Sequence, residues 1–399
     1  MIVVWILFWS VMIIYFLKEG LTSLVAFFPQ SLEKVEIEMT DLEKLPKISV
    51  VIPCRNEELI IETALSNWLK IDYPHSHIEV VVADNSNDKT EELVREFAKT
   101  NDCIKYYRVN SKSKIEALQQ GLDHAKYDYI FLCDADILVE RDCVKTSLPY
   151  LCHPDNGCVF GTRVPIDNMS FLQKMMGLRE LFVSTKLKFY SLIDSTPWVS
   201  LSPGAFKKQD LLDSLEGYDH DIIADDLYFA VKIRQNGKKV KYVPNMIAKA
   251  GVIGTYTDLW IQHFRGSQAV AQAVTRSYHK SLFNPNSYGL MVVPFKLFSY
   301  VLGYTFLPLF LIASVISLHF ELILYYYILQ LACGLTNYIS IKSMVKFETK
   351  KNILHFLFFP IGYTIAELVW AMGWYGWFFQ KRTGITWKKT TSDRIQSPS

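Results

Sequence analysis

The chain opens with a run from Met1 to Leu17 that contains no charged side chain. With Leu21 to Phe28 it is long enough to cross a bilayer, which takes ~20 residues. It lacks the basic start and small-residue cleavage site of a secretory signal, so the pattern predicts an uncleaved anchor over residues 1–28, ended by Pro29. Residues 29–46 mix charges of both signs and read as a connector. From Lys47 the pattern changes to short apolar runs separated by amphipathic ones. Ile48 to Ile52, stopped by Pro53, predicts a buried strand; Ile78 to Ala83, ending at Asp84, a second; Ile104 to Tyr107 a short third. Tyr129 to Cys133 predicts a fourth, which runs directly into Asp134-Ala135-Asp136. Between them, Glu57 to Leu69, Asp88 to Ala98 (capped by Asp88) and Lys114 to Ala125 have helical spacing. Strands interleaved with helices predict an α/β fold with a mostly parallel, doubly wound sheet.

Further along, Gly161 to Asp194 is less regular and predicted helical, with a basic and aromatic face of Lys174, Arg179, Lys186, Lys188 and Tyr190. Thr196 to Ala205 reads as a loop and short strand. An acidic loop follows, with Glu216, Asp219, Asp221, Asp225 and Asp226. Leu227 to Gln235 predicts a helix stopped at Asn236-Gly237, and Lys239 to Val243 a strand closed by Pro244. After Ser287 come three long apolar segments: Phe295 to Leu318, Leu322 to Ile341, and Leu354 to Phe379, the last interrupted by Pro360 and Glu367. All are long enough to span a membrane, the first two joined by a tight hairpin. Lys342, Lys346, Lys350 and Lys351 make the next loop cytoplasmic by the positive-inside rule, and the α/β domain with it. The tail, with Lys381, Arg382, Lys388 and Lys389, asks for the same side, which three crossings would not allow; a re-entrant third segment is the alternative. The expected layout is a membrane anchor over 1–28, a connector over 29–46, an α/β domain over 47–286 with interfacial helices at its end, a membrane domain over 287–380, and a polar tail over 381–399.

Composition narrows the class. Half of the 399 residues are hydrophobic and 14% aromatic, high for a soluble enzyme. A net charge of +2 gives no electrostatic case for nucleic acid. The seven cysteines are scattered, odd in number and without a C-x-x-C pair, which speaks against a disulfide framework or a zinc site.

The candidate chemistry lies where the strands end. Ligands of open α/β sheets bind outside the carboxyl ends of the strands. Asp134 and Asp136, spaced i, i+2 at such an end, suit a hard cation such as Mg²⁺ or Mn²⁺. Asp84 ends another strand and suits either a nucleotide's polar edge or an Asx turn. Lys114 opens a helix near the same edge and suits either a phosphate or solvent. Asp225 and Asp226 precede a helix, where acids are stabilising in any case. Gln262 and Arg265 share one helix face.

Order and spacing carry more than the single residues. Val50-Val51-Ile52-Pro53-Cys54-Arg55-Asn56-Glu57-Glu58 resembles the opening strand of the family 2 glycosyltransferases. Ala83-Asp84-Asn85-Ser86-Asn87-Asp88-Lys89-Thr90 resembles their D-D-x-S-x-D-x-T motif. Lys114 with Ala117-Leu118 resembles G-K-x-x-A-L, with Ser113 where glycine is usual, and Asp134-Ala135-Asp136 matches D-x-D. Gly217-Tyr218, Ala224-Asp225-Asp226-Leu227, Gly237 and Val240 to Pro244 resemble the family's last block. The resemblance covers about Ile48 to Gln268, with apolar segments on both sides as in the membrane-bound branch. It implies a GT-A fold and an inverting, metal-dependent transfer from a nucleotide-sugar, most often a UDP-sugar. By motif match, Asp226 would be the general base and Asp136 the metal ligand. Asp84 would contact the base, Asp134 the ribose and metal edge, and Pro53, Glu57 and Lys114 the donor pocket. Asp225, Gln262 and Arg265 would fall at the acceptor or diphosphate. Membrane polysaccharide synthases of the family usually carry Q-x-x-R-W; here Gln262 and Arg265 are followed by Gly266. The missing tryptophan weighs against a processive polymer maker and puts first a single transfer to a lipid or lipid-linked acceptor, at the cytoplasmic face of the cell membrane. A polysaccharide synthase is the alternative, and an inactive membrane scaffold a further one.

Overall fold

The computed structural model describes residues 2–25, 27–28, 32–38, 41–166, 170–218, 222–252, 254–276, 282, 286–344 and 353–379. Pro29, Asp219, Asp221, Lys346, Lys350, Lys351 and the basic tail lie outside them. In chain order come α1 (Ile2–Tyr15), a π-helical stretch Phe16–Leu21, α2 (Thr22–Val25), β1 (Ile48–Cys54), α3 (Ile61–Trp68), β2 (Ile78–Asp84), α4 (Thr90–Thr100) and β3 (Ile104–Arg108). Then follow α5 (Lys114–His124), β4 (Tyr129–Leu132), β5 (Ile137–Val139), α6 (Cys143–Leu151), β6 (Asn156–Pro165), α7 (Phe171–Leu192), β7 (Gly204–Lys207) and α8 (Lys208–Leu215). The chain continues through α9 (Asp225–Gln235), β8 (Lys239–Ala250), α10 (Tyr256–Arg276), α11 (Val293–Ile316), α12 (Phe320–Met344) and α13 (Ile353–Phe379). These elements form two compact units, one drawn from 1–30, 165–197 and 252–386, the other from 31–164 and 198–251. Residues 165–197 and 252–286, grouped with the α/β domain by the sequence pattern, thus group with the apolar helices.

The α/β unit holds an eight-stranded sheet in the order β3-β2-β1-β4-β7-β6-β8-β5. β3, β2, β1 and β4 pair in parallel, while β4–β7, β6–β7 and β5–β8 pair antiparallel. This is the GT-A sheet expected, with the parallel half first in the chain. Ile48, Val51, Val81 and Val82 are fully buried, as strands covered on both faces require. On α5, a Cβ at Gly121 would lie 2.8 Å from Val51 and 3.0 Å from Ala83, so glycine lets this helix sit close to the sheet. Pro53 does not stop β1. It pairs with Ala83 of β2, and its missing N–H falls on the β4 side, where the ladder has already ended at Val51–Leu132. Pro244 likewise lies inside the long β8. The irregular stretch predicted helical from Gly161 instead begins as strand β6, and α7 starts only at Phe171, behind a capping box of Ser170 and Gln173.

Among the described residues, the other unit contains four helices long and apolar enough to cross a membrane: Ile2–Leu24, Tyr288–Ile316, Phe320–Met344 and Phe356–Phe379. Phe8, Phe182, Phe310, Tyr326 and Phe359 pack in its core. Ile2, Ile312 and Phe379 are among many apolar residues left exposed, as lipid-facing positions would be. α13 continues unbroken through Pro360 and Glu367, with the Thr364 hydroxyl donating to the Pro360 carbonyl at 2.8 Å. It packs through glycines: Gly362 against Met175 and Met176 of α7, and Gly373 and Gly376 against Phe264 of α10.

Candidate functional site

The strand order reverses between β1 and β4, and the carboxyl ends of β2, β1 and β4 lie side by side there. The loops leaving β1 and β2 are stitched together. The Asn56 N–H donates to Ser86 Oγ at 2.7 Å, Glu57 N–H to Thr90 Oγ1 at 2.9 Å and Glu58 N–H to Asp88 Oδ2 at 3.2 Å. In return, Asn87 N–H donates to Asn56 Oδ1 at 2.8 Å. Asn56 adopts a left-handed backbone, φ 57°, which asparagine tolerates better than most residues. The serine, aspartate and threonine of the second-strand motif are therefore brackets for the first loop. Asp88 is not the cap of α4, whose N-cap is Lys89; it accepts from Thr90 N–H one residue further on.

Asp84 is fully buried. Its Oδ1 accepts from the Ser86 N–H and hydroxyl, and its Oδ2 from the Tyr106 hydroxyl at 3.0 Å, with Arg108 3.6 Å away. Burial pushes this carboxyl up, against the pull of those hydrogen bonds.

Lys114 opens α5, where Ser113 caps the helix by accepting from the Glu116 N–H at 3.1 Å. Serine in the place of the usual glycine thus has a local use. Lys114 and Pro53 line one small recess with Cys54, Arg55, Ser111 and Ala117. The Lys114 ammonium forms an ion pair with Asp134. Burial alone would lower the lysine, but Asp134, Asp225 and Asp136 outweigh it and hold the lysine protonated. Asp134 is fixed from behind by its N–H, which donates to Ser202 Oγ at 3.0 Å. Burial and the neighbouring Asp134 push Asp136 up to about 7, with Glu57 adding to the repulsion.

Asp225 and Asp226 form the first turn of α9. Asp225 accepts from the Tyr218 hydroxyl at 2.5 Å, and Asp226 Oδ1 accepts from the Leu227 N–H at 2.9 Å. Asp226 is solvent-accessible, yet enough protein flanks it that lost hydration raises its carboxyl above the ordinary range. Arg163 on β6 was not singled out in the sequence. Its Nε donates to the Ser202 carbonyl at 2.5 Å, and its charge acts on both Asp136 and Asp226. The apolar run Cys158-Val159-Phe160 just before it was the available signal; reading helix from Gly161 hid the strand's continuation, in which Arg163 is exposed between buried Thr162 and Val164. Pro53, Glu57, Asp84, Lys114, Asp134, Asp136, Asp225 and Asp226 thus all belong to the α/β unit. Gln262, exposed, and Arg265, half-buried, belong to the other, on α10. At Gly266 a Cβ would lie 3.2 Å from the Trp370 ring, so an indole from α13 occupies the space beside the residue where a tryptophan was expected.

The residues fit a divalent cation. Two carboxylates repelling one another, one raised to about 7, are what a cation between them would relieve. Among the described residues no three His, Cys, Asp or Glu side chains gather as a closed metal cage; Mg²⁺-type sites commonly take one or two carboxylates plus substrate phosphates.

Residues 49–213 match the family model for Glycosyl transferase family 2. The chain carries a family 2 glycosyltransferase domain. It is 29% identical over 245 residues to the poly-beta-1,6-N-acetyl-D-glucosamine synthase of Staphylococcus aureus strain COL, covering 61% of this chain and 59% of that protein. The corresponding synthase of Staphylococcus epidermidis is 27% identical over 244 residues, 60% of this chain and 58% of that protein. The chain therefore spans about three fifths of the length of these curated relatives. In fold it is similar to the mannosyltransferase PcManGT of Pyrobaculum calidifontis, solved with GDP-Man and Mn²⁺, at a TM-score of 0.65 and 20% identity over 86% of this chain and 96% of that one.

Proposed function

We propose that this protein is an inverting membrane glycosyltransferase that transfers a sugar from a nucleotide-sugar onto a growing glycan. The carrying observation is the convergence of Lys114, Asp134, Asp136 and Asp226 at one sheet edge of a family 2 domain. The sequence alone put a lipid acceptor first and a polymer second. Similarity to two polysaccharide synthases reverses that order, and makes a nucleotide-activated N-acetylhexosamine the first donor to test.

In this reading Asp226 takes the proton of the acceptor hydroxyl. The hydroxyl oxygen attacks the anomeric carbon as the bond to the diphosphate oxygen breaks on the opposite face, which inverts that carbon in one displacement. Lys114 and Arg163 are the cations that meet the charge growing on the leaving group. Asp134 and Asp136 would hold a divalent ion, which supplies Lewis-acid stabilisation of the leaving diphosphate when bound. The intact carboxylates argue against an inactive scaffold.

The test is incubation of the purified full-length protein with nucleotide-sugars and sizing of the product. A ladder of high mass is expected. Single additions to lipid would return the acceptor reading to first place. Asp226→Asn should lower turnover by ~10²–10⁴-fold with donor binding kept; unchanged turnover would remove Asp226 from the mechanism.

A further inference from the structure

The unit of apolar helices encloses a cluster of charges that the transfer reaction does not use. Glu19, in the π-helical stretch after α1, is 2% exposed. It pairs with Lys186 of α7 at 2.5 Å and accepts from the Tyr363 hydroxyl of α13 at 2.6 Å. Lys18 donates to Glu367 of α13 at 2.8 Å. Lys296 of α11, 7% exposed, lies over the rings of Tyr190 and Tyr300 at 4.9 and 5.6 Å and within electrostatic reach of Lys18, Lys186, Glu19 and Glu367. Arg179 of α7 acts on Glu367 and on His263 of α10. Among the described residues, the buried acids that act on Lys18, Arg179, Lys186 and Lys296 are Glu19 and Glu367; Glu180, 3.7 Å from Arg179, is exposed. Lys18 is six residues inside the end of its candidate span, ~9 Å at 1.5 Å per residue, so water is a poor counter-charge there.

Losing a proton from a lysine would reduce the excess charge, but it would leave other groups unmet. Arg179 Nε and Trp370 Nε1 are buried donors without a partner among the described residues. His263, 4% exposed, has Nδ1 3.0 Å from the Leu259 carbonyl, which can only accept. The proton therefore sits on Nδ1, and Nε2, also buried without a partner, is an acceptor. Burial, and then the charge of Arg179, hold this ring neutral, with its pKa near 3. The His263 and Trp370 rings are 6.3 Å apart. The missing ligand must bring negative charge, acceptor oxygens for two N–H groups, and a hydroxyl for one imidazole nitrogen. A phosphate monoester as its monoanion, the form that keeps one hydroxyl and predominates below its second pKa of ~6, does all three.

We propose that this cluster binds a phosphate monoester, with Arg179 and Trp370 donating to its oxygens, His263 accepting from its hydroxyl, and Lys18, Lys186 and Lys296 matching its charge. A lipid headgroup and free phosphate share this chemistry. The inference stands whether the glycan product is a polymer or a glycolipid.

The test uses the full-length protein in a phosphate-free maltoside detergent, with dioleoyl phosphatidic acid, dioleoylglycerol and inorganic phosphate as probes. Melting temperature and native mass spectrometry are the readouts. Phosphatidic acid should raise the melting temperature saturably and appear as one bound copy, and dioleoylglycerol should do neither. Equal stabilisation by inorganic phosphate would support the site and identify a free anion as its source. Arg179→Gln should weaken binding about tenfold or more, and Trp370→Phe, which keeps a ring and removes the N–H, by a smaller factor. Should Arg179→Gln not fold, Trp370→Phe and Lys296→Met decide. No stabilisation by either phosphate probe, or binding at wild-type strength in these variants, would overturn the proposal.

Discussion

At the scale of single residues, Asp226 is defined by where α9 begins. Its first-turn position places it beside unpaired helix N–H groups, which favour the anion, while partial loss of hydration disfavours it; the net effect raises its carboxyl. An ordinary aspartate titrates at ~3.9. A base works only when deprotonated, so activity should fall as pH drops through a value above that. A kcat/KM profile against pH checks this, and an acid limb at or below the ordinary aspartate range would contradict it. Most of these carboxylates were legible in the sequence because strand ends and helix starts are local features. Arg163 was not. Its importance comes from strand β6 folding back beside β7, which brings its charge to Asp136 and Asp226.

At the scale of elements, the parallel strands could be read from their apolar runs, but their ends could not. Pro53 and Pro244 look like stops, and each stands inside a strand because what a proline breaks depends on which neighbour its missing N–H would have faced. The seam of α13 against α7 and α10 offers a sharper check. At Gly373 a Cβ would come 2.2 Å from Ser267 Oγ and 2.6 Å from the Phe264 carbonyl oxygen, both on α10. Gly373→Leu should therefore destabilise this unit by ~1–3 kcal/mol or more, read as a lower melting temperature in detergent. Gly362→Ala should cost less, since a Cβ there meets only the flexible ends of Met175 and Met176 at 3.0 and 3.1 Å. Equal melting temperatures for the two variants would remove the glycine seam as the cause.

At the scale of the whole molecule, the small net charge is a balance of 42 basic against 40 acidic side chains rather than a shortage of charge. Donor binding should report on the α/β unit as a whole. With Mn²⁺, a donor at 100 times its Kd should stabilise the protein by ~2.7 kcal/mol, and chelation should remove most of that gain. Asp136→Asn should remove the metal-dependent part while leaving the melting temperature of the ligand-free protein the same or higher, because it relieves the repulsion with Asp134. Donor stabilisation that is indifferent to chelation would overturn the cation reading of these two carboxylates.

The sequence by itself determined the alternation of strands and helices, the four apolar segments, and the acids at the strand ends, because each depends on residues close together in the chain. The tertiary structure decided the rest. Ser86, Asp88 and Thr90 became brackets for the loop of Asn56 only once β1 and β2 were neighbours. Lys114 met Asp134 across a strand order that reverses between β1 and β4. The charges of Lys18, Glu19, Lys186 and Glu367, scattered over the whole chain, paired only because an apolar surrounding gives a buried charge nowhere else to go.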